Sequence, residues 1–564
     1  MKTNIIKLCL LIFVGTLISC TGDFDEINQN PNGFTADDVS AKFFITEPQY
    51  KLYAEDRYPY WRAQLIHTDR YAGHFTFGHS GSWWSDGLGY DYSSGYTDAA
   101  WGWLSGEFGK IDGFMKLVKS GGEFENEYMY AVGLIMKSLY FQMYTDTWGM
   151  VPYSEAGVEG IVTPKYDAQK DIYKGIIADL DAAMATIGDA ERTGTGINDL
   201  GENDVYCGGD LQKWKKLANT LKLRIGMRAL GATGDDFATG AINQALSADL
   251  LDATSGSILM DKDEIISQWG SAAYGDVWHN FGGLGSKWTV GKTLIDHLRN
   301  YNDPRLSVFA KPVEGGEVTI TKPASGETAD NFWVRANFLS SIFDAAGATY
   351  TRTDAADQVT FNVPAGQYIG QPTRLRGEMS SFANFKFFST PSDLVIRAKN
   401  DGAMYPEIVL TSAEAYFLQA EAAVRGLGTG DAQELLAMGI KEAMKVWGIS
   451  GGDADTYIAQ SAIADISAGT MEQKLEKIAI QRWLNTYTDG FEGWAVVRDT
   501  GYPSELATGV NNQVIFADGD LAGQYPQRLR YGTAEQTSNE ANYNAAVAAQ
   551  GEDVQATKLW YAKQ

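Results

Sequence analysis

The chain has 564 residues, 44% of them hydrophobic and 12% aromatic, and a formal net charge of −25 from 46 basic and 71 acidic side chains. That composition is globular, and a chain of this length buries enough surface to hold its fold without covalent staples. The acidic field repels polyanions, which excludes nucleic acid as a partner and disfavours direct adsorption on anionic lipid.

At the start, Lys2 and Lys7 precede an apolar run, Leu8 to Ile18, that is too short to cross a bilayer. Small Ser19 and then Cys20 follow, so residues 1–19 are expected to be a lipoprotein signal peptide and Cys20 the lipidated (palmitate-bearing) first residue of the mature protein. Residues 20–40 then serve as a tether, and 41–564 as a single composite domain, because no linker rich in Pro, Ser or charge divides the chain. With Cys9 in the signal and Cys20 lipidated, Cys207 is left alone, which excludes a disulfide framework.

From Tyr71 to Trp103 the sequence has ten aromatic residues and seven glycines, with Asp86, Asp91 and Asp98 among them. The string HSGSWWSDGLGYDYSSGY fits neither helical nor strand periodicity, so the segment is expected to be a long loop. Helices are expected over Tyr128–Tyr144, Gln169–Ala185 and Gln212–Leu230. Loops follow from Trp269 to Trp288 and from Gly315 to Lys399, the latter with short strands at Glu317–Pro323 and Gln358–Val363. Thr411 with Glu414 has capping-box spacing and starts a helix that ends before Gly426; Asp431 with Glu434 opens a second; Thr470 with Gln473 caps a third. A last loop runs from Tyr502 to Tyr531. The fold class expected is mainly α: tetratricopeptide-like helix pairs forming a scaffold with long irregular loops and a few short strands.

Aromatic rings held on glycine-rich loops and flanked by carboxylates suit the apolar faces and hydroxyl rims of sugars, and they also suit peptide side chains. Catalytic signals are weak by comparison. The five histidines, His67, His74, His79, His279 and His297, match no zinc spacing, and there is no nucleophile elbow, Walker loop or dinucleotide turn. ADGDLAG, Ala517 to Gly523, lacks the ligand spacing of a calcium loop and is expected to be a plain turn. No cofactor, metal or catalytic residue is assigned.

Several strings carry a resemblance in their shared order: Cys20 followed by Asn28-Gln-Asn30-Pro31, then YTDTWGMVPYSEA, GGDLQKWKKLANTLKLRIGMR, DPRL, TSAEAYFLQAEAAVRG, QRWLNTYTDGFEGWAVVRDTGYP and PQRLRYGTAEQTSN. In that order the chain resembles the SusD/RagB family of nutrient-binding outer-membrane lipoproteins, on its SusD-like branch, from Cys20 to about Trp560. The resemblance implies a non-enzymatic, lipid-anchored, surface-exposed protein that captures a nutrient, an oligosaccharide in the first reading, and delivers it to a SusC-like TonB-dependent transporter. A peptide-capturing lipoprotein of the same architecture and a surface glycoside hydrolase are the alternatives. Glu414, Glu421, Arg482 and Trp494 match helix and turn positions and are expected to be scaffold. The ligand site implied comprises Trp83, Trp84, Tyr90 and Tyr92, with Trp278 and Trp288 from the middle of the chain, and polar groups at Asp86, Asp91 and Arg70.

Overall fold

A computed structural model describes residues 39–53, 60–77, 90–261, 288–395 and 406–562. The signal, Cys20 and nearly all of the tether lie outside these ranges.

The fold is mainly helical, as expected. Helix α1 (Ser94–Val118) leads into α2 (Glu127–Trp148), α3 (Gln169–Ile187), α4 (Leu211–Ala229) and α5 (Ala238–Leu246), and each packs on the one before it. Helix α2 is buried on nearly every face from Met129 to Trp148 because it is covered by α1, α3 and α4 together. Its first turn is capped by Asn126, whose side chain accepts from the backbone N–H groups of Tyr128 and Met129. Asp210 caps α4 in the same way, accepting from Gln212 and Lys213.

Between the two sets of helices lies α6 (Lys292–Asn300), and α7 (Phe332–Ala345) belongs to a smaller core. The C-terminal helices are α8 (Ser412–Val424), α9 (Ala432–Val446), α10 (Met471–Asn485), α11 (Gly490–Thr500) and α12 (Glu540–Gln550). Thr411 and Asp431 cap α8 and α9, and the reciprocal box of Thr470 with Gln473 opens α10. Helices α8 and α9 pack so closely that a Cβ at Gly439 would collide with the Phe417 ring, which is why glycine occupies that position.

An ionic centre ties the helix pairs together. Arg224 on α4 grips the Glu414 carboxylate of α8 with two hydrogen bonds of 2.6 and 2.5 Å, and Arg228 reaches both Asp146 of α2 and Glu492 of α11. Burial alone would raise Glu492, but the Arg224 and Arg228 guanidiniums override it and hold the carboxyl below its ordinary range. Glu421 accepts from Arg482 at 2.8 Å, and the Trp494 ring carries the Arg498 guanidinium 3.6 Å from its centroid. These are scaffold contacts, as the sequence pattern anticipates.

The smaller core is built on an antiparallel three-stranded sheet of β4 (Gly316–Thr321), β5 (Thr351–Ala355) and β6 (Gln358–Val363), in the order β4-β6-β5. Strand alternation sends Val359, Phe361 and Val363 inward, where α7 covers them with Phe332, Leu339 and Phe343. Earlier in the chain, β1 (Phe75–Phe77), β2 (Ile258–Met260) and β3 (Trp288–Val290) are three-residue strands; β1 pairs with β3, and β2 with Glu407–Leu410.

Two expected loops are corrected in part. Residues from Ser94 onward are helical, and Trp101 and Trp103 are buried side chains of α1. Five glycines within Ser94–Val118 weaken intrinsic helix propensity, and packing on α2 outweighs that cost. The Gly315–Lys399 stretch likewise contains α7 and a third strand, β5, in addition to the two strands expected.

Candidate functional site

The β1/β3 ribbon is where two of the expected aromatic loops begin. Its register pairs Phe75 with Val290, Thr76 with Thr289 and Phe77 with Trp288. Residue 78 follows Phe77 and residue 287 precedes Trp288, so the chain enters one aromatic segment and leaves the other at a single register pair. Two stretches two hundred residues apart in sequence therefore share one root. The ribbon is fixed from below: the Trp483 indole N–H donates to the Ala72 carbonyl at 2.7 Å, and the Gly291 N–H donates to His74 O at 2.9 Å. A Cβ at Gly291 would collide with the carbonyl oxygen of Gly73, so only glycine permits this approach. Burial pushes the His74 imidazole down to about 3, keeping it neutral beneath the ribbon.

The sequence-predicted site residues fall into three groups. Trp83, Trp84, Asp86 and Trp278 lie outside the described residues, as does Cys20. Arg70, Tyr90 and Trp288 are in the interior, at 1%, 2% and 1% exposure, which leaves them no face for a ligand in this structure. Trp288 pairs through its backbone in β3 and has its ring buried. Tyr90 is a keystone: its hydroxyl donates to the Arg70 carbonyl at 3.0 Å, its ring meets Tyr71 edge-on at 4.8 Å, and the Arg70 and Arg374 guanidiniums lie 5.2 and 4.9 Å from its centroid. Its φ of 67° is left-handed, a backbone conformation uncommon for a residue with a Cβ. The third group, Asp91 and Tyr92, is half-buried. The Tyr92 N–H donates to Asp520 at 3.0 Å, and the Arg530 guanidinium lies 3.9 Å from its ring centroid. Asp520 belongs to the ADGDLAG segment, which forms a helical turn at Gly519–Leu521. Among the described residues no group of His, Cys, Asp and Glu could hold a metal ion.

Residues 31–329 match the family described as SusD-like, starch-binding associating with outer membrane, and residues 392–562 match that described as Susd and RagB outer membrane lipoprotein. The chain belongs to the SusD-like family. Among solved structures it is similar to a chitin-binding protein at 25% identity, covering 93% of this chain and 100% of the other with a TM-score of 0.70. A SusD-like protein from Bacteroides thetaiotaomicron is 23% identical over 93% of this chain and 99% of its own, with a TM-score of 0.67. A SusD homolog from Bacteroides uniformis is 20% identical over 93% and 100%, with a TM-score of 0.69. No curated protein sequence matches significantly.

Membership makes this SusD-like protein a nutrient-binding protein of the outer membrane, in a family whose members bind their ligands rather than transform them. Among the described residues no helix is long and apolar enough to cross a membrane. One cavity of this SusD-like chain was not foreseen in the sequence. About 350 Å³ in volume, it is walled by Trp101, Phe108, Tyr140 and Tyr144 and edged by Glu535. The Glu535 carboxylate accepts from the Trp101 indole at 3.2 Å and the Tyr166 hydroxyl at 2.6 Å, which fixes the wall. The open glycines Gly106 and Gly109 on α1, which line it, were a signal in the sequence for it, obscured there by the loop assignment.

Proposed function

We propose that this SusD-like protein captures an oligosaccharide through the aromatic segments rooted on the β1/β3 ribbon and delivers it to a SusC-like TonB-dependent transporter. The observation that carries the reading is the register pair Phe77–Trp288, from which both segments extend. Trp83, Trp84 and Trp278 are the proposed stacking platforms, with Asp86 and Asp91 as hydrogen-bonding partners for hydroxyls. Tyr92 adds a half-buried ring, while Tyr90, Arg70 and Trp288 hold the root in place. Similarity over 93% of the chain to a chitin-binding protein supports a saccharide as the ligand class.

Cys20 is the proposed lipid anchor. Acyl chains contribute about 0.8 kcal/mol per buried CH₂, so several chains hold the protein at the membrane essentially permanently. Cys20→Ala should release the protein from the membrane fraction, and protease treatment of intact cells should digest the wild type if it faces outward.

The direct test is calorimetric titration of the purified protein against neutral oligosaccharides and mixed peptides, with a parallel assay for reducing ends. Saturable binding to an oligosaccharide without release of reducing sugar is expected. Binding to peptides alone would favour a peptide-capturing protein, and released sugar would mean a hydrolase.

A further inference from the structure

At the opposite end of the ribbon from the aromatic segments, an open cleft of about 410 Å³ lies between α6 and the segment after α11. This is within the size range of small-molecule sites. Helix α6 is amphipathic: Leu294, Ile295 and Leu298 are buried, and Lys292, Asp296 and His297 line the cleft. Glu505 and Asn511 stand on its other side, and Tyr301 supplies an aromatic wall.

The charges on α6 are already matched. Lys292 pairs with Asp296, which also accepts from Arg299 at 2.8 Å, so the floor offers neither a bare cation for phosphate nor a bare anion for a metal. The ring of His297 is held near-parallel to Tyr301, centroids 6.2 Å apart, and against the edge of Trp483 at 5.9 Å. Its side chain is only 11% exposed, and among the described residues neither ring nitrogen has a hydrogen-bond partner. Nε2 lies 3.8 Å from the Glu505 carboxylate, too far for a direct hydrogen bond. A hydroxyl seated between them could accept from one and donate to the other at about 2.8 Å each. A buried polar group left unsatisfied is destabilising, and a ligand hydroxyl would relieve it. A carboxylate acceptor, an imidazole and an amide beside an aromatic wall suit a hydroxyl-rich, uncharged ring.

Helix α6 begins directly after Gly291, three residues beyond Trp288. At a strand rise of about 3.3 Å per residue, the cleft starts roughly 10–13 Å from the root of the aromatic segments. One extended oligosaccharide can span that distance. We propose that this cleft is a second saccharide subsite, taking the part of an oligosaccharide that extends beyond the aromatic loops. The inference rests on the glycan-capture reading above.

The test titrates chitohexaose and maltohexaose into the wild type and into the double variant Glu505→Gln, Asn511→Ala, both positions being exposed and remote from the core. Hydrogen exchange is followed with and without the sugar. The subsite predicts that the hexasaccharide bound by the wild type binds the variant at least ten-fold more weakly, with ligand-induced protection over residues 292–301 and 505–516. Equal affinity together with unchanged exchange in those segments overturns the subsite and leaves the glycan-capture reading standing. If neither hexasaccharide binds the wild type, both fall.

Discussion

Replacing Tyr90 should damage stability in a graded way that a ligand-contacting ring would not show. In Tyr90→Phe the Arg70 carbonyl loses the tyrosine hydroxyl but keeps the Gly73 N–H at 3.0 Å, so the loss is that of one ordinary buried hydrogen bond, about 1 kcal/mol. Tyr90→Ala removes a ring that is 2% exposed and packed on Tyr71, with two guanidiniums near its face; large aromatic truncations in cores cost about 3–5 kcal/mol. Tyr90→Gly deletes the same ring but relieves the left-handed φ of 67°, worth about 1–2 kcal/mol for a residue with a Cβ. It should therefore be no less stable than Tyr90→Ala, despite the greater freedom of glycine in the unfolded chain. Urea unfolding followed by tryptophan fluorescence measures all three, and oligosaccharide titration under native conditions completes the comparison. A Tyr90→Phe variant that is as stable as the wild type yet binds sugar less tightly would refute the keystone role and return Tyr90 to the ligand site.

Three further perturbations address the scaffold and the root. Burial, then the neighbouring Glu492 charge, pushes the Asp489 carboxyl up to about 7. Between about pH 4 and pH 7 the folded protein thus holds a proton that the unfolded chain has lost, and stability falls as pH rises, by on the order of 1.4 kcal/mol per unit. Asp489→Asn keeps an N-cap on α11 and should flatten that slope, gaining on the wild type at pH 8 relative to pH 5 in urea midpoints; an unchanged slope would contradict the shift. Glu414→Ala strips Arg224 of its bidentate partner at 4–5% exposure, and a loss of about 3–5 kcal/mol in the same assay is expected. Gly291→Ala forces a Cβ into the Gly73 carbonyl and should weaken sugar binding by displacing the ribbon, while Gly240→Ala, with open space at its Cβ, should not.

The scaffold was legible because its signals are local. Thr470 with Gln473, Asp431 with Glu434 and Thr411 with Glu414 state helix starts within four residues, and each cap forms. Helix α1 was not legible in full, because five glycines and a high aromatic content look like a loop until α2 packs against it. The site was legible only as composition. That Tyr90 turns inward depends on a single left-handed residue and on Arg374, nearly three hundred residues away. The α6 cleft joins residues from 292–301 to residues from 505–516, and such pairing has no short-range signature. Trp288 illustrates the same limit: a tryptophan in an aromatic stretch is equally a platform or a strand residue until its partner, Phe77, is known.

The most direct measurement is calorimetric titration of the best-bound oligosaccharide into the wild type and into the double variant Trp83→Ala, Trp84→Ala, with thermal unfolding of each as a control. One large buried aromatic face contributes roughly 1.5–3 kcal/mol, so the affinity should fall at least ten-fold while the unfolding temperature holds. Equal affinity in the two proteins would contradict capture at the segment that begins beyond Phe77.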